Sequence, residues 1–311
     1  MYPIRFEPIY QDYVWGGTQI ASKYHRAAGL KRIAESWELS DREGAMSVVA
    51  NGPYRGRTLH DLVEELGETL LGVGQKFEKF PLLLKIIDAK ENLSVQVHPD
   101  EASAPSLKGE PKTEMWFAIQ EGSVYAGLKK GVEKEDFSNA LKEGTLEDLL
   151  EKVDLHRGDA AYIPGGKVHA ICAGAFLFEV QQNSNTTYRI YDWGRKNREL
   201  HLKEAMEAIS WHDRHAVKTP VHRLDSDIHH QLMILVASPF FIVDKIDVFD
   251  FWHAASIPKT FQVFFFLQGE GSLTVDGTKE PYGPGMTFLV PAASQSIEIT
   301  GKCEALRIRL P

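Results

Sequence analysis

Residues Leu82–Asp100 read LLLKIIDAKENLSVQVHPD. The opening LLLKII is too apolar to face water and marks a buried strand. It is followed by Gln96-Val97-His98-Pro99, in which two ligand-capable side chains stand two residues apart. Positions two apart on a strand point the same way, so Gln96 and His98 project from one face and Val97 packs on the other. Pro99 cannot donate to a sheet ladder and ends the strand. An amide and an imidazole side by side at a strand end can hold one side of a metal ion. The alternative is a histidine satisfied by a neighbour, and the rest of the chain decides between them.

On both sides of this stretch the chain alternates short extended pieces with turns. Ile33–Ser40 (IAESWELS) suits a half-buried strand, with Trp37 and Leu39 alternating with polar residues. Thr58 is the expected N-cap of a single helix carrying Leu59, Leu62, Val63, Leu66 and Leu70. Residues 112–129 read as a strand, a Glu121-Gly122 turn and a returning strand. Residues 133–153 read as helical in two pieces, the second opening on Thr145-x-x-Asp148 and running through LLEKV. Strands resume at 154–172 and 176–193, a third helical piece follows at 201–211, and 216–230 is polar enough to be a linker. So many short strands with only three helical pieces predict a mainly β chain, a β-sandwich core with helical excursions.

An internal repeat divides that core in two. His156-Arg-Gly158-Asp-Ala-Ala-Tyr-Ile-Pro164 matches Tyr282-Gly-Pro-Gly285-Met-Thr-Phe-Leu-Val-Pro291. Upstream, Met115–Ser123 matches Phe264–Ser272, both closing on Gly-Ser. This alignment sets Glu114 opposite Val263 and His169 opposite Ser296, with the first copy longer by about one helical insertion. The expected organisation is a first domain over 1–215 with helical insertions near 58–71, 133–153 and 201–211. A linker over 216–230 and a metal-free second domain over 231–311 complete it. A purely structural glutamate and histidine would be expected in both copies, yet only the first carries them. Gln96, His98, Glu114 and His169 are left on three strand ends as an N/O donor set suited to Zn²⁺, Fe²⁺ or Mn²⁺.

Composition narrows the class. The 311 residues are long for one core and comfortable for two, with ordinary hydrophobic (43%) and charged (25%) fractions. A net charge of −8 argues against non-specific nucleic-acid binding, so an anionic substrate needs a local basic cluster. No apolar run spans a membrane, and MYPIRFEPIY has no secretory layout. Cys172 and Cys303 are too few for a disulfide framework. The cytoplasm is the expected compartment.

At AESWELS, PLLLKIIDAKENLSVQVHPDE, KTEMWFAI, GDAAYIPGGKVHAI and FEVQQNSNTTYRIYDWGR the chain resembles the type I phosphomannose isomerases of the cupin superfamily, in their short bacterial form. The resemblance covers most of the first 200 residues; the C-terminal part adds cupin-like turn patterning. It implies two cupin-like jelly-roll domains and one zinc ion per chain, held by Gln96, His98, Glu114 and His169. It implies a catalytic arginine at Arg189 of TTYRIYDW and an active-site lysine at Lys112. Thr113 stands where many members have proline. The implied reaction interconverts mannose 6-phosphate and fructose 6-phosphate through a cis-enediol(ate).

In that reaction Zn²⁺ would act as Lewis acid and Arg189 would stabilise the enediolate. Lys112, Arg189, Arg195 and Lys167 are the cations available to phosphate. Lys112, Glu179 and a zinc-bound water are each eligible as base, with Lys112, Arg189 and Glu179 expected at the substrate. The expected partner is a small sugar phosphate, with no nucleic acid and no membrane, for a monomer or homodimer. Two rivals remain: a cupin oxygenase, since two His and a carboxylate also bind non-haem iron, and a non-catalytic sugar-phosphate binder.

Overall fold

The protein is described by a computed structural model covering residues 1–26, 29–30, 32–254 and 259–311. It is mainly β, with 43% strand and 14% helix. The chain forms two compact units, Met1–Ile9 with Trp37–Leu83 and Pro220–Pro311, and Tyr10–Ser36 with Leu84–Thr219. The segments Met1–Ile9 and Trp37–Leu83 thus lie with the C-terminal strands and not with the remainder of 1–215.

The second of these units carries the site. One of its sheets has five strands, ordered Leu150–Leu155, Gly122–Leu128, His169–Ile171, Val95–Val97 and Tyr188–Tyr191. A six-stranded sheet runs Ala160–Ile163, Glu114–Ala118, Phe176–Gln182, Leu82–Asp88, Glu35–Leu39 and Ile9–Gln11. A buried cluster joins Trp116, Ala118, Ala161, Ile163 and Leu177 of the latter to Val124, Ala126, Leu155 and Ile171 of the former. The two sheets therefore pack face to face as a sandwich. The other face of the five-stranded sheet presents Val95, Val97, Ala170 and Ile190, covered by Phe137, Ala205 and Ala208. Those last three lie on the helices Lys134–Glu143 and Leu202–Ala208.

Several local expectations change. Glu114–Ala118 and Gly122–Leu128 are not a hairpin: each pairs with other strands, in a different sheet. Ile119–Glu121 carries the chain from one layer to the other. Thr58 caps its helix in a reciprocal capping box with Asp61, but Gly67, at φ 46°, breaks the helix into Leu59–Leu66 and Glu68–Leu71. Thr145 makes no side-chain cap; a single 3₁₀ turn, Leu146–Leu149, leads into the strand Leu150–Leu155. LLEKV pairs with Gly122–Leu128, so its partner overrides helix propensity. Glu35–Leu39 is wholly buried rather than half-buried, because it lies inside a sheet. Residues 216–230, expected as a linker, hold the exposed strand His222–Ser226, which pairs with residues 231–234. An edge strand can be polar throughout and leaves no apolar signature.

The first unit is built on a ten-stranded sheet. Its main path runs His222–Ser226, His230–Ala237, Ile242–Val248, Ile297–Arg309, Gln262–Val275, Thr287–Val290, Ile4–Glu7 and Val48–Val49. The repeat is visible in both units. Gly158 (φ 94°) and Gly285 (φ 80°) take left-handed turns, each before a four-residue strand that ends at a proline. Ile163 pairs with Glu114, and its counterpart Val290 pairs with Gln262. The residue equivalent to Glu114 is therefore Gln262, not Val263. A register shift between Phe266 and Gln268 puts one extra residue before Gly271, which displaced the sequence alignment by one.

Candidate metal centre

Three of the four expected ligands converge at one end of the sandwich interior. Gln96 and His169 are direct cross-strand partners in the five-stranded sheet, and His98 follows two residues after Gln96. Glu114 starts its strand in the opposite sheet. His98 Nε2 lies 3.5 Å from Glu114 Oε2, and His169 Nε2 lies 3.4 Å from Glu114 Oε1. The two imidazole centroids are 4.8 Å apart. All three side chains are 1% exposed, and their ligand atoms lie within 4.8 Å of one another. Gln96 Nε2 sits 3.2 Å from His169 Nε2 and Gln96 Oε1 accepts from Ser94 Oγ at 3.3 Å, so the amide borders the triad.

Both histidines are oriented from behind. His98 Nδ1 is 2.8 Å from the Thr186 carbonyl, and His169 Nδ1 is 2.8 Å from the Lys167 carbonyl. A carbonyl can only accept, so each Nδ1 carries the proton and each Nε2 turns a lone pair inward. Among the described residues, His98 Nε2 has no hydrogen-bond partner. A buried imidazole lone pair left unpaired beside a carboxylate and a second imidazole is the donor set a divalent cation takes up. Burial, reinforced by Lys112, holds His98 well below the usual histidine range, and burial lowers His169 as well. Both rings are thus neutral, as ligation requires.

Around the triad runs a buried ladder of alternating charge. Lys112 Nζ lies 2.8 Å from Glu114 Oε2 and 3.9 Å from Glu179 Oε1. Lys85 Nζ lies 3.5 Å from Glu179 Oε2 and 3.5 Å from Glu35 Oε2. Burial works against the Glu114 charge, but Lys112 outweighs it and its pKa falls. Burial and the neighbouring Glu114 push Glu179 the other way, against Lys85 and Lys112. Two carboxylates are thereby driven apart in acidity, a pattern typical of catalytic sites.

Lys85 was missed in the sequence reading, although a lysine inside LLLKII must be paired if that strand is buried. Gln181, the cross-strand partner of Glu114, was missed too; it is wholly buried and donates to the Gln182 and Ser184 carbonyls.

The other expected cations divide. Arg189 pairs with Gln96 in register, which aligns His169, Gln96 and Arg189 in one row across three strands. Its Nη1 donates to the Glu199 carbonyl at 2.7 Å. Lys167 turns away, ion-paired to Asp213 and donating to the His215 carbonyl. Arg195 is engaged by Asp192 and the Asn92 carbonyl.

A family model for the catalytic domain of type I phosphomannose isomerase matches residues 4–130, and one for the mannose-6-phosphate isomerase cupin domain matches 231–310. Mannose-6-phosphate isomerase ManA of Bacillus subtilis (strain 168) is 34% identical over 98% of this chain and 98% of its own length. The chain belongs to the type I phosphomannose isomerase family. The mannose-6-phosphate isomerase of Streptococcus mutans is 33% identical over 94% of this chain and 93% of its own. A crystal structure of the B. subtilis mannose 6-phosphate isomerase superposes with a TM-score of 0.93, at 30% identity and full coverage of both chains. The catalytic-domain model takes in His98 and Glu114 of the buried His-Glu-His cluster, and His169 lies beyond its end. Among the described residues, no helix is long and apolar enough to cross a membrane.

Proposed function

We propose that this chain is a zinc-dependent aldose–ketose isomerase that interconverts mannose 6-phosphate and fructose 6-phosphate through a cis-enediol(ate). The observation that carries the reading is the inward-facing His98–Glu114–His169 triad with Lys112 against its carboxylate. Relatives that span nearly the whole chain are named as mannose-6-phosphate isomerases, which supports the substrate.

His98, Glu114 and His169 would hold the ion, with Gln96 as fourth donor. Bound there, the ion supplies Lewis-acid polarisation of sugar oxygens. The protein's own groups do the rest. Isomerisation removes a proton from one of C1 and C2 and returns one to the other, so it needs a group that accepts and releases protons within reach. Lys112 Nζ and Glu179 Oε1, 3.9 Å apart, are the pair suited to it. The raised pKa of Glu179 makes that carboxyl a better proton acceptor than an ordinary glutamate. Arg189, on the row that also bears Gln96 and His169, supplies permanent positive charge for the enediolate and the phosphate. The sandwich walls exclude water, which strengthens each of these interactions.

A coupled assay of mannose 6-phosphate conversion on purified protein, before and after chelation, tests the reading. Activity that is lost on chelation and restored by zinc under anaerobic conditions is expected. Full activity in metal-stripped protein, or a requirement for O₂, would refute it.

A further inference from the structure

Resting on the triad as a metal site, we propose that Thr113 is a positioning residue that ties the Glu114 strand to the turn presenting His169. Three segments bear the ligands, and each is cross-tied to another. The Lys112 N–H donates to the Pro99 carbonyl at 2.9 Å, and the Gly166 N–H donates to the His98 carbonyl at 2.8 Å. These two ties are backbone to backbone and survive any side-chain change. The third adds a side chain to the backbone: Ile163, just before the turn, pairs with Glu114, and Thr113 Oγ1 accepts from the Gly165 N–H, within the turn, at 3.1 Å. The Thr113 N–H donates in turn to Gln182 Oε1 at 2.7 Å, and Gln182 Nε2 donates to Glu101 Oε1 at 2.9 Å.

Thr113 is 2% exposed and adjoins a ligand. Its hydroxyl therefore fixes where Glu114 leaves its strand relative to the Pro164–Gly166 turn, three residues before His169. That turn has no slack, since a Cβ on Gly165 would stand 2.7 Å from Asp100 Cα. A side chain without an acceptor at 113 leaves the Gly165 N–H unpaired, so the turn past Ile163 is no longer held to the Glu114 strand and the imidazole it presents loses its fixed place against the carboxylate. Outer-shell groups of this kind set metal affinity by fixing ligand orientation.

The test compares wild type, Thr113→Val and Thr113→Ser by zinc competition against a chromophoric chelator, together with activity as a function of free zinc. Thr113→Val keeps the shape and loses the acceptor; Thr113→Ser keeps the acceptor and loses a methyl. Zinc affinity about tenfold weaker in Thr113→Val and within twofold of wild type in Thr113→Ser is expected, with near-wild-type turnover restored in both at saturating zinc. Unchanged affinity in Thr113→Val would overturn the proposal, as would equal losses in both variants, which would trace the effect to packing. Should Thr113→Val not fold, Thr113→Ala takes its place. Wild-type protein that takes up no zinc would overturn the metal reading itself, an outcome distinct from those above.

Discussion

Replacing Lys85 by methionine tests the buried charge ladder. The ammonium lies 3.5 Å from a carboxylate oxygen of Glu35 and 3.5 Å from one of Glu179. At an effective dielectric of about 20, each contact supplies about 5 kcal/mol of attraction, much of it offset by stripping water from the charges. Burial alone would lower the Lys85 pKa, but Glu179 and Glu35 more than reverse this, so the lysine stays charged. Methionine fills a similar volume and removes the charge, leaving two buried carboxylates facing one another's field. Deleting one partner of a buried pair costs about 3–5 kcal/mol, which for a protein of this size lowers Tm by on the order of 10 °C. The pH dependence carries a definite sign. A lysine with a raised folded pKa contributes its full stability below its unfolded pKa, so the wild-type contribution is constant from pH 5 to 8. In the variant the penalty comes from Glu179, whose pKa is already raised by burial and rises further without Lys85. An acid of that kind destabilises above its folded pKa and ceases to do so once protonated. Thermal unfolding of Lys85→Met should thus show the full deficit at pH 8 and a visibly smaller one at pH 5. A Tm within about 2 °C of wild type at pH 8, or equal deficits at both pH values, would refute the ladder as described.

Arg189→Ala should retain zinc at the proposed site, because the hydrogen bond described for the Arg189 guanidinium goes to the Glu199 carbonyl and not to a candidate ligand, while kcat falls by at least about a hundredfold; metal content and steady-state kinetics read the two separately. Gly165→Ala pushes a Cβ to 2.7 Å from Asp100 Cα, and the resulting overpacking should cost about 1–3 kcal/mol by chemical denaturation. Burial holds both imidazoles of the triad below the ordinary histidine range. Protons should therefore compete with zinc only below the ordinary histidine range, and stability of the metal-free protein should fall as pH drops through the unfolded histidine value near 6.5. Zinc retention and Tm across pH 5 to 8 check both; release of zinc already at pH 7 would count against neutral, buried ligands.

Much of the site could be read from the chain because strand periodicity fixes which way a side chain points. Gln96 and His98 share a face and Val97 opposes them, so their common direction was visible once QVHP was taken as a strand end. What periodicity does not carry is the identity of a strand's partners. Glu114–Ala118 and Gly122–Leu128 looked like a hairpin because the Glu121-Gly122 pair is a good turn, yet the two strands serve opposite layers. LLEKV looked helical because its residues favour helices, and the neighbouring strand decided otherwise. Lys167 was eligible for phosphate on motif position alone, but the aspartate that engages it, Asp213, is more than forty residues away in sequence.

The second sheet bears on why only one of the two copies would hold a metal. With the register corrected, Gln262 takes the place of Glu114. It lies on the face that also bears Phe264 and Phe266, members of the buried cluster of that unit. By the same alternation Asp244 joins Ile246 and Val248, and Arg307 joins Cys303 and Ala305. Asp244 and Arg307 are paired in register, and Asp244 Oδ2 accepts from Arg307 Nε at 2.9 Å and from Nη2 at 2.7 Å. The guanidinium also lies 5.6 Å from the Trp252 ring centroid. The interior of the second copy is therefore not merely stripped of ligands. Its carboxylate Asp244 is held by Arg307, where the first copy sets Glu114 not only against Lys112 but also against two neutral imidazoles with inward lone pairs. Among the described residues the ion pairs of Asp244 are with arginines and none is with a histidine, so the imidazole donors of the first copy have no counterpart at this carboxylate. The contrast between the copies rests on that exchange of partners more than on the loss of any one residue.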